Sequence, residues 1–409
     1  MTSRHAVRPS AVADSSAHIR IASLCAMVLL LEGYDIAAMG YAVPSLVDTW
    51  RVPPGAFTAA LTAANVGLLL GSLAAGLLGD RRGRKPVLIA CVVIFGGCSL
   101  ATALAASPAQ LAALRFLTGI GLGGGLPLAV TLAADFAPVS APGRLVVGTI
   151  AAVPVGFAVG GLLAGTVIRL LDWRAIFLIG GATPLVFAPL LALYLPESHA
   201  FRVHTPQRNR VAALFLDGRM ITTPLIWAIN FLNLLAIYLI LLWTPAVLHA
   251  AGASPFQAAF AASIYAIGGI AGCLSMAVVV DRFGIERVLT CTLILAALTL
   301  LAIGELHPPP WQLVVLLLGA GLGGSSQAGI NALCALIYPP PVRASGAGWG
   351  MGLGRLGSIG GPLLGGLLLL HGFGGNQIFT VAALSAFSAA LLTGILAYRR
   401  RAHQTADVS

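Results

Sequence analysis

Apolar runs of about twenty residues alternate with short polar breaks along the whole chain, each run long enough to cross the hydrocarbon of a bilayer as one α-helix. About twelve such runs are present, beginning near Ile21, Phe57, Pro86, Leu111, Leu145, Ala175, Thr222, Phe256, Val288, Trp311, Ala344 and Ile378. Nothing of comparable size is left over for a soluble catalytic domain. The first run follows a polar stretch, lacks an Ala-x-Ala-like cleavage site and carries acids, so it reads as a retained helix rather than a signal peptide. The pattern predicts a tail over residues 1–19, a six-helix bundle over 20–195, a polar linker over 196–220, a second six-helix bundle over 221–398 and a tail over 399–409.

Composition agrees with an all-α polytopic membrane protein. The 409 residues are 58% hydrophobic and 9% charged, too few charges to cover a soluble fold of this length. The net charge of +10 does not point to nucleic acid, because of where it sits. With alternating spans, Arg4, Arg8, Arg20, Arg81, Arg82, Arg84, Lys85, Arg144, Arg202, Arg208, Arg210, Arg219, Arg282, Arg287, Arg343 and Arg399 to Arg401 fall on one side. Arg51, Arg169 and Arg174 fall on the other. That asymmetry is the positive-inside signal, and with an even number of spans it predicts both termini in the cytoplasm. Cys25, Cys91, Cys98, Cys273, Cys291 and Cys334 lie in spans with no Cys-x-x-Cys spacing and read as small core hydrophobes.

The chain repeats itself at an offset of about 200 residues. Pro44 matches Pro245; Asp80-Arg81-Arg82-Gly83 matches Asp281-Arg282-Phe283-Gly284; Gly119 to Gly124 matches Gly319 to Gly324; and Arg144 matches Arg343. Four matches in order at one offset mark an internal duplication, and an offset of an even number of spans makes the halves parallel repeats.

Four ionisable residues lie inside the spans. Glu32 and Asp35 are three residues apart, on one face of the first helix, where an acid costs about 3 kcal/mol in hydrocarbon. They imply a polar cavity or a titrating role, or else serve as neutral acids holding helices together. Arg115 and Arg355 each require a carboxylate partner, and a guanidinium suits a two-pronged grip on one. Arg355 lies about as deep as Glu32, counting rise per residue, which makes it the candidate to hold a substrate carboxylate or to balance the acids. Arg115, nearer the far end of its span, is the candidate to position a proton site or brace its helix. A static internal ion pair is the alternative for both. Gln327 and Asn331, four apart on one helix face, suit either ring hydroxyls or helix-to-helix contact. Tyr34, Tyr41, Phe231, Tyr238, Trp243 and Trp349 can sandwich an aromatic ring or simply pack in core or lipid.

The stretch Gly76-x-Leu78-x-Asp80-Arg81-x-Gly83-Arg84-Lys85 resembles the signature loop between the second and third helices of the major facilitator superfamily. Within it, four stretches resemble the aromatic acid:proton symporters: Glu32-Gly33-Tyr34-Asp35, Arg115 to Gly123, Trp243-Thr244-Pro245, and Arg343 through Gly354-Arg355-Leu356-Gly357 to Gly361-Pro362. Glu32 stands where the commoner pattern has Asp, and Asp135 where Glu is usual; both keep the charge. The resemblance implies two six-helix bundles working by alternating access, with Glu32 and Asp35 coupling protons and Arg355, Gln327, Asn331, Tyr34 and Trp243 lining the substrate. It implies a gating latch in which Asp80 faces the start of the eleventh helix near Arg343 and Arg84 pairs with Asp135. Gly76, Arg81, Gly83 and, in the repeat, Asp281 and Arg282 belong to the same device. The implied partners are an aromatic acid anion, protons and the lipid bilayer, for a monomer with no nucleic acid, no cofactor and no enzymatic activity. A symporter of another organic acid, such as a dicarboxylate, and a drug:proton antiporter are the alternatives.

Other motifs carry less. Gly119 to Gly124 fits Gly-x-Gly-x-x-Gly but lies inside an apolar span without a preceding strand, so it reads as close helix packing rather than nucleotide binding. No His, Cys or carboxylate cluster has metal-ligand spacing. His199, His204, His249, His307, His371 and His403 fall in loops or at span edges and read as solvated.

Overall fold

A computed structural model of the protein describes residues 15–137, 142–197, 211–216, 219–306, 308–339 and 342–406. Arg4, Arg8, His199, Arg202, His204, Arg208, Arg210 and His307 lie outside them. The described residues form helices with no strand, and twelve of the helical segments are long and apolar enough to cross a membrane.

The first half comprises α1 (Ser15–Trp50), α2 (Thr58–Arg82), α3 (Arg84–Thr102), α4 (Pro108–Asp135), α5 with α6 (Pro142–Ile150, Ala152–Leu170) and α7 (Arg174–Tyr194). The second comprises α8 (Thr222–Ala250), α9 (Pro255–Phe283), α10 (Ile285–Leu306), α11 with α12 (Pro310–Gly324, Ser326–Ile337), α13 (Arg343–Leu370) and α14 (Gly375–Ala406). Helix starts follow local chemistry. Pro108 opens α4 behind Ser107, whose hydroxyl accepts from the Gln110 amide, and Pro255 opens α9 behind a Ser254–Gln257 capping box. The α1 helix starts before, and α14 ends beyond, the edges expected from the apolar runs, because the flanking polar turns remain helical.

The duplication is visible in the packing. The α2–α4, α1–α6, α3–α7 and α3–α4 contacts of the first half recur as α9–α11, α8–α13, α10–α14 and α10–α11 in the second. Glycines set how closely these helices approach. A Cβ on Gly119 would overlap the Ala64 carbonyl and one on Gly67 the Phe116 carbonyl, so α2 and α4 meet backbone to backbone, as the packing reading of the glycine-rich run expects.

One face of the molecule carries Arg81, Arg82, Arg84, Lys85, Arg282, Arg287, Arg399 and Arg400; we call it the basic face. The opposite face carries Asp48, Arg51, Arg169, Asp172, Arg174, His249 and His371.

Candidate functional site

The two halves meet tightly toward the opposite face. A Cβ on Gly366 of α13 would strike the Thr58 side chain of α2, Gly55 lies against Leu370, Gly40 of α1 lies against Leu242 of α8, and Gly161 of α6 lies against Ser263 of α9. Toward the basic face the same helix surfaces are bare. Thr58 and Gly76 are five helical turns apart on one face of α2, and Gly348, Gly352 and Arg355 share the α13 face of Gly366 and Leu370. A Cβ at Gly76, Gly348 or Gly352 would have nothing within 4 Å. A cleft between the halves therefore opens toward the basic face and leads to Arg355.

The acids at the head of this cleft part company. Asp35 turns into the first half, where its Oδ1 accepts from Arg115 Nη1 at 2.6 Å, with both side chains at most 1% exposed. Arg115 also donates to the hydroxyls of Thr102 and Thr118, each at 2.9 Å, and its guanidinium lies 4.9 Å from the centre of the Phe177 ring. A recess of about 10 Å³, enough for about one water, is lined by Asp35, Asn65 and Arg115. Glu32 is also buried, against Gly125 of α4, where any Cβ would strike its carboxylate. Arg355 of the other half lies near enough to act on its charge and also faces the Tyr238 hydroxyl, but among the described residues Glu32 and Arg355 form no direct ion pair. One oxygen of each acid, Glu32 Oε2 and Asp35 Oδ2, is buried with no hydrogen-bond partner.

Beside Arg355 lies an amide network that joins three spans. Gln327 Nε2 donates to Asn230 Oδ1 at 2.9 Å and Asn331 Oδ1 at 3.0 Å, while its Oε1 accepts from Asn233 Nδ2 at 2.8 Å. Ser326 donates to Asn233 Oδ1, and Asn230 Nδ2 to the Gly350 carbonyl. Asn230 also fills the space against Gly354, the residue before Arg355. Gln327 and Asn331 are thus joined to each other and to α8, and both are half-buried.

Among the described residues, Tyr34 and Trp243 make no hydrogen bond to this group. The Tyr34 hydroxyl donates to the Ile176 carbonyl at 2.9 Å, and the fully buried Trp243 ring donates to the Pro362 carbonyl at 3.0 Å, so each spends its polar atom on a neighbouring helix.

On the basic face Gly83 holds a backbone φ of +98°, and its repeat partner Gly284 a φ of +82°. Arg84 forms an ion pair with Asp135. Asp80, Arg81, Asp281 and Arg282 are exposed, and Arg282 lies over the Phe283 ring. Asp80 does not reach the start of α13: no hydrogen bond or ion pair joins it to the described residues there, and Arg343 donates instead to the Tyr338 carbonyl at 3.3 Å. An open basic face holds these two helix ends apart.

Sequence reasoning missed four things. Asn230, Asn233 and Ser326 carried a signal, polar residues at helical spacing within apolar spans. Thr102 and Thr118 did not, since isolated threonines are common in such spans. Glu197 accepts from the Arg84 and Lys85 amides at 3.0 and 3.3 Å, closing the N-terminus of α3 from across the half, and only the fold reveals it. His249 is not simply solvated: its ring bridges Asp48 and the Ala253 carbonyl.

The Major Facilitator Superfamily model matches residues 25–249 and 226–408. The chain belongs to that superfamily. It is 33% identical to a 4-hydroxybenzoate transporter of Pseudomonas aeruginosa, over 93% of each chain, and 35% identical to a gallate transporter of Pseudomonas putida, over 90% of this chain and 89% of that one. A crystal structure of a D-xylose-proton symporter superposes with a TM-score of 0.77 at 19% identity, covering 92% of this chain and 97% of the other, a likeness of fold. Superfamily and fold are those of transporters rather than enzymes.

Proposed function

We propose that this protein imports aromatic carboxylates of the hydroxybenzoate or hydroxyphenylpropionate kind, together with protons, across a bacterial inner membrane. The observation that carries the reading is the placing of Arg355 and Glu32 across the cleft between the halves, next to the Asn230–Gln327–Asn331 network. Arg355 grips the substrate carboxylate in competition with Glu32, the network offers amide groups to ring hydroxyls, and the Tyr238 ring flanks the pocket. The relatives named for hydroxybenzoate and gallate, both hydroxylated aromatic acids, support that substrate class.

The basic face is cytoplasmic by the positive-inside rule, so the cleft here faces inward. Alternating access follows from the repeat, with one pair of six-helix units rocking about the site. Protonation of Glu32 removes its claim on Arg355 and leaves the guanidinium to an incoming anion. Proton release to the cytoplasm restores that claim and expels the substrate. The chain works as a monomer, each copy holding both halves.

Uptake of labelled aromatic acids into proteoliposomes tests the proposal. Accumulation of 4-hydroxybenzoate or a related acid is expected only with an inward proton gradient. Transport of dicarboxylates in preference to the aromatic acids, or export of hydrophobic cations, would replace it with one of the alternatives.

A further inference from the structure

An amide side chain has a direction, because its oxygen only accepts hydrogen bonds and its nitrogen only donates them. In the network beside Arg355 that direction is set by the backbone: Asn230 Nδ2 lies 2.7 Å from the Gly350 carbonyl, an oxygen that can only accept. Asn230 therefore turns its Oδ1 away from Gly350, and that oxygen receives Gln327 Nε2 at 2.9 Å. The same Nε2 gives its second hydrogen to Asn331 Oδ1 at 3.0 Å, while Gln327 Oε1 takes one from Asn233 Nδ2 at 2.8 Å. Asn233 Oδ1 is left to the Ser326 hydroxyl at 2.8 Å, the one member able to give or take. Turning any single amide over sets nitrogen against nitrogen or oxygen against oxygen. One backbone carbonyl thus orients the whole set.

What remains unused is all of one kind. Each of the four amide oxygens accepts a hydrogen, and Gln327 Nε2 spends both of its own. Asn331 Nδ2 keeps two N–H groups, with no hydrogen bond among the described residues. It is not sealed in either. Asn230 and Asn233 are buried, whereas Asn331 is half-buried, and its nitrogen is not among the buried polar atoms that lack a partner. Asn331 stands one turn beyond Gln327 on α12, toward the basic face onto which the cleft opens. The network therefore ends in a pair of donors at its accessible end, held in place by bonds on the oxygen side of the same amide. The guanidinium of Arg355 is likewise a donor only, so this side of the cleft offers N–H groups to whatever enters.

We infer that Asn331 sets specificity by reading the ring substituent as a hydrogen-bond acceptor: the cleft selects aromatic acids that carry an oxygen on the ring over those that carry an N–H donor at the same place. The inference rests on the proposed import of aromatic carboxylates, with the carboxylate on Arg355. A phenolic or methoxy oxygen accepts from Asn331. An arylamine nitrogen accepts poorly, its lone pair being shared with the ring, and its N–H groups face those of the amide. Donor against donor leaves both without the hydrogen bonds they had in water, which is why a fixed polar group rejects the wrong partner more strongly than it holds the right one. The hydrogen of a ring hydroxyl is not what the site reads, so an O-methyl ether keeps the contact.

The experiment measures binding by calorimetry to the full-length protein in lipid nanodiscs at neutral pH. Its probes are two size-matched pairs, hydroxybenzoate against aminobenzoate and methoxybenzoate against (methylamino)benzoate, each with the substituent at ring position 3 and at ring position 4. At one of the two positions the oxygen member of each pair is expected to bind about tenfold more tightly than the nitrogen member. Asn331→Asp keeps an oxygen for Gln327 and places a second oxygen where Nδ2 stood, so it should invert the ratio in favour of the nitrogen members. Asn331→Leu, which offers neither group, should bring the ratio to within about twofold of unity. A merely structural role for Asn331 predicts weaker binding of every probe with the ratio unchanged. Wild-type ratios near unity at both positions, or a wild-type preference that survives in both variants, overturn the inference and leave the import of aromatic acids standing. No binding of any of these acids to the wild type overturns both.

Discussion

Glu32 and Asp35 stand one turn apart on α1, yet their side chains live in different surroundings, and that difference separates what each can do. Asp35 is fixed to Arg115 in a buried ion pair, and Arg115 also donates to two threonines. Removing one partner of such a pair leaves the other buried and unbalanced, at about 3–5 kcal/mol. Asp35→Asn should therefore lower the thermal stability of the purified protein markedly. Glu32→Gln, which leaves no ion pair broken within its own half, should stay within about 1 kcal/mol of the wild type. Transport separates them again: Glu32→Gln is expected to lose proton-driven accumulation while keeping substrate exchange across the membrane. Equal melting temperatures for the two variants would contradict the buried pair, and full accumulation by Glu32→Gln would remove that acid from coupling. The sequence placed both acids on one helix face but not their partners, because a guanidinium reaches its carboxylate through the fold.

Between α2 and α3 the chain turns at Gly83, and a distant carboxylate closes the turn. The φ of +98° is open to glycine and strained for other residues, and a Cβ there would stand 2.6 Å from Glu197 Oε2. Gly284 makes the equivalent turn in the second half with a φ of +82° but open space around it. Gly83→Ala thus meets strain and collision, Gly284→Ala strain alone. The first is expected to cost about 2–3 kcal/mol and the second about 1 kcal/mol, read as a larger fall in melting temperature for Gly83→Ala. Equal losses would show that Glu197 yields freely. The turn itself was legible from the paired glycines at the repeat offset. Its closure by Glu197 was not, because residues at the end of α7 meet the start of α3 only after the helices of the half have packed.

For the molecule as a whole, the two halves rest against each other on one side and stand apart on the other; under the proposed alternating access, each half-to-half contact would belong to one state of the cycle. Among the described residues Asp80 has no hydrogen-bond or ion-pair partner, the basic face being open. Under the proposed latch, the opposite state would bring Asp80 to the positive N-terminus of α13, a contact worth up to about 1–2 kcal/mol. Asp80→Asn should leave the inward-facing state untouched and weaken the other, shifting the ratio toward inward-facing by roughly tenfold. Accessibility of cysteines introduced on the two faces measures that ratio. An unchanged value would reduce the loop to a setter of topology.

The amino-acid sequence by itself determined the class, the number of spans, the duplication and the positions of the ionisable groups inside the apolar spans. These follow from local arithmetic: a span must be apolar over about twenty residues, and a buried charge stands out against that background. It also marked the run from Gly119 to Gly124 for close helix packing, since a glycine every few residues says how near a neighbour can come; that the neighbour is α2 was decided by the fold. Tertiary structure alone decided which guanidinium meets which carboxylate, that Gln327 and Asn331 join Asn230 and Asn233, that Trp243 turns to Pro362, and that Asp48 faces its own repeat partner His249. Each of those contacts joins residues on different spans, and their partners are chosen by the helix packing rather than by neighbours in the chain.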